Sequence, residues 1–557
     1  MPGDLDVVCE PHQGGESVRR EKGSRFALSG RGRPITAADP LLLLTDYLAF
    51  HALTRPDKTA LQDGERILTY SQLYEQSCRF AALLEEKELR GARIAYVGKN
   101  SDIFFPVLFG AFMAGVVLTP INWRFTAGEI SHILHDSGAT LAICDAEFVP
   151  TVKAAGAALS GLEILTARSR VGGLNCLSDL LENRPGGAAP RIACDRDAIA
   201  LQLYTSGTTG KPKGVMMSHY ALGVARTSEF LSGDWDDLSD EEVFLSAMPN
   251  FHIGGLTWVL MSLVRGCACH LTNDVTPSNL LAMCEERAIT RVFMVPVVIR
   301  AFVDELKASS KKLSALRGIY YGAAPIGRTL LDDALRVLDG CRFGQFFGMT
   351  ETCSTVVFLS PADHGNPVGD RLNSVGRPMP GVDIEIRDPA GRTLTSGEPG
   401  EIYIKTATAM SGYWKMPEAT KEALSDGWYR TGDGGYLDAD GFLHLTDRIK
   451  DMIISGGENI YPAEVEDALR RHPAVQDAAV VGVRDETWGE RVAACVQLRS
   501  GATAEADELI ATVRAHIARY KAPKQIVFVN ALPRTASGKI QRAVVRSQMA
   551  SKLAPQV

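Results

Sequence analysis

The chain predicts an α/β fold, with helix-covered parallel sheets in a large N-terminal part and a compact unit after it. Three observations carry this. From residue 92 onward, short β-rich runs alternate with helical patterns. The strictly alternating run Val382-Asp383-Ile384-Glu385-Ile386-Arg387 then opens a more antiparallel stretch, and a separate set of short elements follows Asp447. At 557 residues and 45% hydrophobic content, more than one domain is expected.

Residues 1–40 are rich in Gly, Arg, Glu and Ser and lack a sustained apolar core, so they predict a disordered extension, not a secretory signal. Strands are expected at 92–97, 116–118 and 140–144, with helices between them and one over 129–135. The apolar stretch 103–121 is nearly long enough to cross a bilayer. Capping side chains at Asn100-Ser101-Asp102, Pro106 in the first turn and a break at Gly115 make it a buried helix followed by a buried strand. A further buried strand covers 199–204, and an apolar-periodic segment begins after 214–219. The runs 291–295, 318–321 and 343–347 are strands ending at Gly, Pro or polar motifs, where ligands of parallel sheets gather. After Asp447 the pattern predicts a helix opening near Pro462, strands around 478–481 and 492–496, a helix over 509–520 and a last strand at 525–529.

A net charge of −7 gives no basic footprint, so nucleic acid is not an expected partner. The eleven cysteines include no C-x-x-C pair, which predicts neither a disulfide framework nor a zinc site and fits a reducing cytoplasm. Cys267 and Cys269 are spaced as same-face residues of a strand. Ser551-Lys552-Leu553 is followed by four more residues and is not read as a peroxisomal address.

The segment between the 199–204 strand and Gly214 concentrates Thr205, Ser206, Gly207, Thr208, Thr209, Gly210, Lys211 and Lys213. Glycine backbone donors, hydroxyls and cations together make a polyphosphate cradle. It is not a Walker A loop, because Gly207 and Gly210 are too close and Lys211 precedes Pro212.

This loop resembles the phosphate-binding motif of the adenylate-forming superfamily: acyl-CoA synthetases, luciferases and peptide-synthetase adenylation domains. Further matches follow in the family's order: Pro249 to Gly255, Tyr321-Gly322-Ala323-Ala324-Pro325, Phe347-Gly348-Met349-Thr350-Glu351, Gly400-Glu401 with Gly412-Tyr413, Tyr429 to Asp433, Asp447 to Asp451, Gly456 to Asn459, and Pro533 to Lys539. The resemblance implies an adenylation domain at 41–447 with a small β-barrel-like part, a hinge at 448–451 pivoting on Lys450, and a small mobile α+β lid at 452–557. Its implied activity is an ATP- and Mg²⁺-dependent acid:CoA ligase, with coenzyme A as co-substrate and a small-molecule carboxylic acid as partner. No membrane span is implied, and a homodimer is the assembly considered.

By the same resemblance, residues 205–211 wrap the β- and γ-phosphates, Thr350 contacts the α-phosphate, and Glu351 with Thr205 holds Mg²⁺. Gly322, Ala323 and Ala324 lie flat against adenine with Phe347 on the opposite face, flanked by Phe346, Gly348 and Met349. Asp433 accepts from both ribose hydroxyls, assisted by Arg448. Lys539 is the mobile catalytic ammonium. His252 stands at the carboxylate end of the acyl pocket or is simply a satisfied buried histidine. Phe251, Ile253, Trp258, Tyr321, Phe346 and Met349 form an apolar pocket in which Gly254 and Gly255 leave room. Gly456 and Gly457 line a tunnel for the pantetheine arm or are only a turn. The expected acid is a medium- or long-chain fatty acid or another apolar acid. The alternatives are an aryl or feruloyl-type acid, a stand-alone adenylation enzyme loading a carrier protein, and a luciferase-like oxygenation of the adenylate.

Overall fold

The computed structural model describes residues 43–184, 195–205, 212–232, 238–309, 311–324, 326–365, 371–448, 451, 453–455, 458–485, 489–535 and 539–553. The expected extension at 1–40 lies outside them. Two large sheets carry the N-terminal part. The seven-stranded one runs Gly412–Tyr413, Lys213–Ser218, Ile199–Thr205, Val117–Ile121, Arg93–Val97, Leu141–Cys144, Glu163–Thr166. The nine-stranded one has a parallel centre, Arg342–Met349, Gly318–Gly322, Arg291–Met294, Val243–Ser246, Ala268–Leu271 and Thr59–Asp63, with antiparallel strands at both edges.

The apolar stretch is the buried helix Phe104–Ala114, ended by left-handed Gly115 and followed by the strand Val117–Ile121. It packs against the helix Tyr70–Glu86 so closely that a Cβ on Gly110 would lie 2.6 Å from the Ser77 carbonyl oxygen. Its apolar circumference is therefore explained by burial on all sides. No helix among the described residues is long and apolar enough to cross a membrane. Pro120 lies inside the Val117–Ile121 strand, but pairing with Ile199–Thr205 is confined to Leu118 and Leu201, so the proline falls where one ladder has ended.

The expected antiparallel stretch is a five-stranded sheet in which Val382–Arg387, Gly400–Thr406 and Trp428–Leu437 pair in succession and Leu443–Arg448 closes beside the last. Beyond it, residues 453–528 build a further sheet around the long hairpin Val475–Asp485 and Gly489–Leu498. The helix expected over 509–520 is Ala506–His516 instead: Ile517 leaves it in extended backbone and packs on the core of the unit. An unforeseen helix, Arg542–Leu553, is tied down where Arg542 pairs with buried Glu466 and donates to the Val480 carbonyl at 2.8 Å. It contains Ser551-Lys552-Leu553.

A buried ion pair on one helix also ties that helix to its neighbours. Arg226, on the helix His219–Leu231, meets Glu229 at 2.8 Å, donates to the Thr257 carbonyl at 3.1 Å and to the Ser354 hydroxyl at 2.8 Å. Burial pushes the Glu229 carboxyl up to about 7. Arg226→Met removes that carboxylate's paired cation and leaves only the field of Arg265, and we expect a loss of about 3 kcal/mol of stability in denaturant titration. Adding Glu229→Gln to the Arg226→Met protein should recover part of it.

Candidate active site

The adenylate motifs stand at the C-terminal ends of neighbouring parallel strands. Gly322 closes Gly318–Gly322 and pairs with Phe346, so close that a Cβ there would lie 2.5 Å from the Phe346 carbonyl oxygen. Ala323 follows at φ 64°, a left-handed conformation uncommon for alanine and a mark of a backbone shaped for a task. Arg342–Met349 ends in a register shift between Phe347 and Gly348, and the short turn Thr350–Thr352 follows. The Thr352 hydroxyl fixes that turn, accepting from the Met349 N–H at 3.1 Å and donating to the Ser354 carbonyl at 2.9 Å. Glu351 is thereby held half-buried, its carbonyl accepting from the Met410 N–H at 2.8 Å and its Oε1 from the Tyr413 hydroxyl at 3.1 Å.

Thr205 ends Ile199–Thr205 opposite Lys213, at the base of the expected phosphate loop. Ser206, Gly207, Thr208, Thr209, Gly210 and Lys211 themselves lie outside the described residues, as do Lys450, Gly456 and Gly457. Asp433 is partly buried on Trp428–Leu437, where its N–H donates to the Thr431 hydroxyl at 3.0 Å. Its backbone pairs with that of Arg448, so the two residues expected at the ribose are neighbours across two strands.

His252 caps the helix Ile253–Val264, and its buried Nε2 has no hydrogen-bond partner among the described residues. Burial pushes the imidazole down to about 4, and the charges of Lys539 and Arg124 add to the shift. It is neutral at pH 7. Lys539 itself is exposed, on a loop closed by the Thr535 N–H donating to the Lys539 carbonyl at 2.8 Å. The structure therefore brings Lys539 from the C-terminal unit into the electrostatic reach of His252, 287 positions earlier in the chain.

The helix that follows His252 carries Trp258, the centre of an aromatic pile. Trp258 packs against Phe244, Phe293, Tyr320 and Phe346 with ring centroids 4.8–6.4 Å apart, and Tyr320 stacks on Phe346 at 5.6 Å. A Cβ on Gly254 would touch the Phe293 ring at 3.4 Å. Phe251 is buried, while Ile253, Gly254, Phe346, Phe347 and Met349 are partly exposed.

Tyr321 does not belong to this pile. It turns to the opposite face of the sheet, where its hydroxyl meets His364 Nε2 at 2.9 Å and its ring lies in a separate core. Successive strand side chains point to opposite faces, so Tyr320 takes the place expected for Tyr321. Phe293 and Tyr320 had no expected role, although alternation along 291–295 and 318–321 puts one residue of each pair on the site face. Tyr413 and Tyr429 stood inside quoted motifs without a task. Burial and the Glu351 charge hold both phenols far above their ordinary range.

The family model described as "AMP-binding enzyme" matches residues 48–414, and that of the "AMP-binding enzyme C-terminal domain" matches 464–539. The chain belongs to the AMP-binding enzyme family. The fatty acid:acyl-carrier-protein ligase ScoC of Streptomyces coeruleorubidus is 39% identical over 91% of this chain and 96% of its own. The feruloyl-CoA synthase of an Amycolatopsis species is 39% identical over 88% of this chain and 96% of its own. Among solved structures, the o-succinylbenzoate CoA synthetase of Bacillus subtilis, in complex with its acyl-adenylate intermediate, superposes with a TM-score of 0.78 at 30% identity, over 90% of this chain and 97% of that one. The chain is thus an AMP-binding, adenylate-forming enzyme of the acid:CoA ligase family.

The donors present suit Mg²⁺. Glu351 and Thr205 offer hard oxygens, and the described residues contain no group of three or more His, Cys, Asp or Glu that would hold a metal by themselves. One carboxylate shared with substrate phosphates and water is the arrangement Mg²⁺ favours.

Proposed function

We propose that the enzyme activates a compact apolar carboxylic acid as its acyl-adenylate and passes the acyl group to the thiol of coenzyme A. In the first step a carboxylate oxygen attacks the α-phosphorus and pyrophosphate leaves; in the second the thiol attacks the acyl carbon and AMP leaves. Bound Mg²⁺, held by Glu351 and Thr205, would neutralise phosphate charge. Gly322, Ala323, Ala324 and Phe347 seat the adenine, Asp433 with Arg448 takes the ribose, and Thr350 meets the α-phosphate. The Lys539 ammonium stabilises charge developing on the carboxylate and α-phosphate oxygens. For the second step, rotation about Lys450 withdraws Lys539 and brings up Gly456 and Gly457 beside the pantetheine arm.

The observation that supports this acid class is His252. The buried His252 imidazole, its Nε2 without a partner among the described residues, lies in the field of Lys539 and precedes the helix whose Trp258 centres the aromatic pile. That order matches an acid whose carboxylate lies at the cation and whose tail is apolar, and the rings beyond Gly254 limit the tail's length. An acid panel scored by CoA-dependent AMP release tests it, using straight-chain acids of rising length, cinnamates with and without ring hydroxyls, and a dicarboxylate. Highest turnover is expected with a medium chain or a single unsubstituted ring, and highest turnover with the dicarboxylate would overturn the reading.

A carrier-protein thiol is the second reading, supported by the 39% identity to ScoC. Holo-carrier protein and CoA offered to the same pre-formed acyl-AMP separate the two.

A further inference from the structure

The hydrogen bond from Tyr413 to Glu351 joins two sheets at one carboxylate. Glu351 belongs to the turn after Arg342–Met349 in the nine-stranded sheet. Tyr413 belongs to the edge strand Gly412–Tyr413 of the seven-stranded sheet, in register with Val215 on the strand that leaves the phosphate loop. Its backbone is fixed on both sides. The Tyr413 N–H donates to the Thr420 hydroxyl at 2.9 Å, and the Trp414 N–H donates to the Gly214 carbonyl at 2.7 Å. The Lys213 ammonium lies 4.9 Å from the centre of the Tyr413 ring. From a third sheet, the Tyr429 phenol, four residues before Asp433, is buried within the field of Glu351 and beside Tyr413.

We propose that Tyr413 is a positioning residue that orients the Glu351 carboxylate for Mg²⁺ and locks it to the hairpin carrying Thr205. This rests on the reading of Glu351 as the metal-binding carboxylate. An ionised carboxylate only accepts, so the phenol donates to Oε1 and restrains the orientation of the carboxylate. Without that bond, the Glu351 side chain loses this tie to the sheet that carries Thr205. Groups that orient a metal ligand in this way typically set metal affinity by roughly 10–100-fold. The ring also buries apolar surface, so loss of the hydroxyl alone is the informative change.

The test is Tyr413→Phe, which keeps the ring and removes the donor. ATP affinity is measured by calorimetry in EDTA and at rising Mg²⁺, beside the Mg²⁺ dependence of acyl-AMP formation. We expect ATP binding in EDTA to match the wild type, the half-saturating Mg²⁺ concentration to rise roughly 10-fold, and the double variant with Glu351→Gln to be no worse than Glu351→Gln alone. Tyr429→Phe should shift the Mg²⁺ dependence in the same direction by less. Wild-type Mg²⁺ dependence in Tyr413→Phe, with Glu351→Gln displaced, overturns the role of Tyr413. An equal loss of ATP affinity with and without Mg²⁺ also overturns it, since that marks a merely structural residue. Wild-type Mg²⁺ dependence in Glu351→Gln instead overturns the metal assignment beneath it.

Discussion

Lys539→Ala is expected to lower acyl-AMP formation from acid and ATP by roughly 10²–10³-fold, the scale of removing one preorganised donor from a developing charge. Thioester formation from supplied acyl-AMP and CoA should remain near the wild-type rate. The loop that carries Lys539 is closed by the Lys539 backbone, whose carbonyl accepts from the Thr535 N–H and whose N–H donates to the Thr535 hydroxyl, so truncating the Lys539 side chain leaves its frame in place. The residue's own field offers an independent readout. Lys539 depresses the His252 imidazole, so in the variant the His252 pKa, followed by NMR, should rise from about 4. The rise should stop short of the ordinary value, because burial is the larger cause. Equal loss of both half-reactions in a folded protein would remove Lys539 from the first step.

Gly348→Ala should be nearly as damaging, for a reason of space. A Cβ at Gly348 would lie 2.2 Å from the Ser354 carbonyl oxygen and 2.9 Å from the Ser354 carbonyl carbon and Thr355 Cα. All of these are backbone atoms, so no rotamer relieves the clash. Ser354 is itself held by Arg226 at 2.8 Å, which leaves the Thr350–Thr352 turn as the part that must give way. Displacement of a reacting group by 1 Å costs roughly 10²-fold in rate. Single-turnover acyl-AMP formation should fall by about that factor, with far-UV circular dichroism unchanged. Gly327→Ala is the control, because a Cβ there would meet nothing within 4 Å. A Gly348→Ala enzyme of wild-type adenylation rate would show that the bulge does not position Glu351.

Much of the frame was legible because its signals are local. Apolar runs punctuated by Gly and Pro marked the central strands, and Gly115 separated the buried helix from its strand. The adenylate motifs could be read because they are short contiguous strings. Less legible was the phase of a strand buried on both faces. Tyr320 and Tyr321 are adjacent, aromatic and both buried, so hydrophobicity gives no means of choosing which one meets the site. The C-terminal helix Arg542–Leu553 was missed because its sequence is mostly polar, and the surface that buries Val545 and Met549 is built by Ala479, Val481, Val483, Ala493 and Cys495, distant in the chain.

By itself the sequence determined the fold class, the order of the motifs, and hence the family. These rest on local propensity and on residue types at short spacing, which the chain carries wherever it folds. Tertiary structure alone decided that Tyr320 faces Trp258 while Tyr321 turns to His364, that His252 is neutral within reach of Lys539, and that Glu351 is held by Tyr413 from another sheet. The physical reason is that burial, field and hydrogen-bond geometry belong to pairs of residues, and the partners here lie 43, 287 and 62 positions apart.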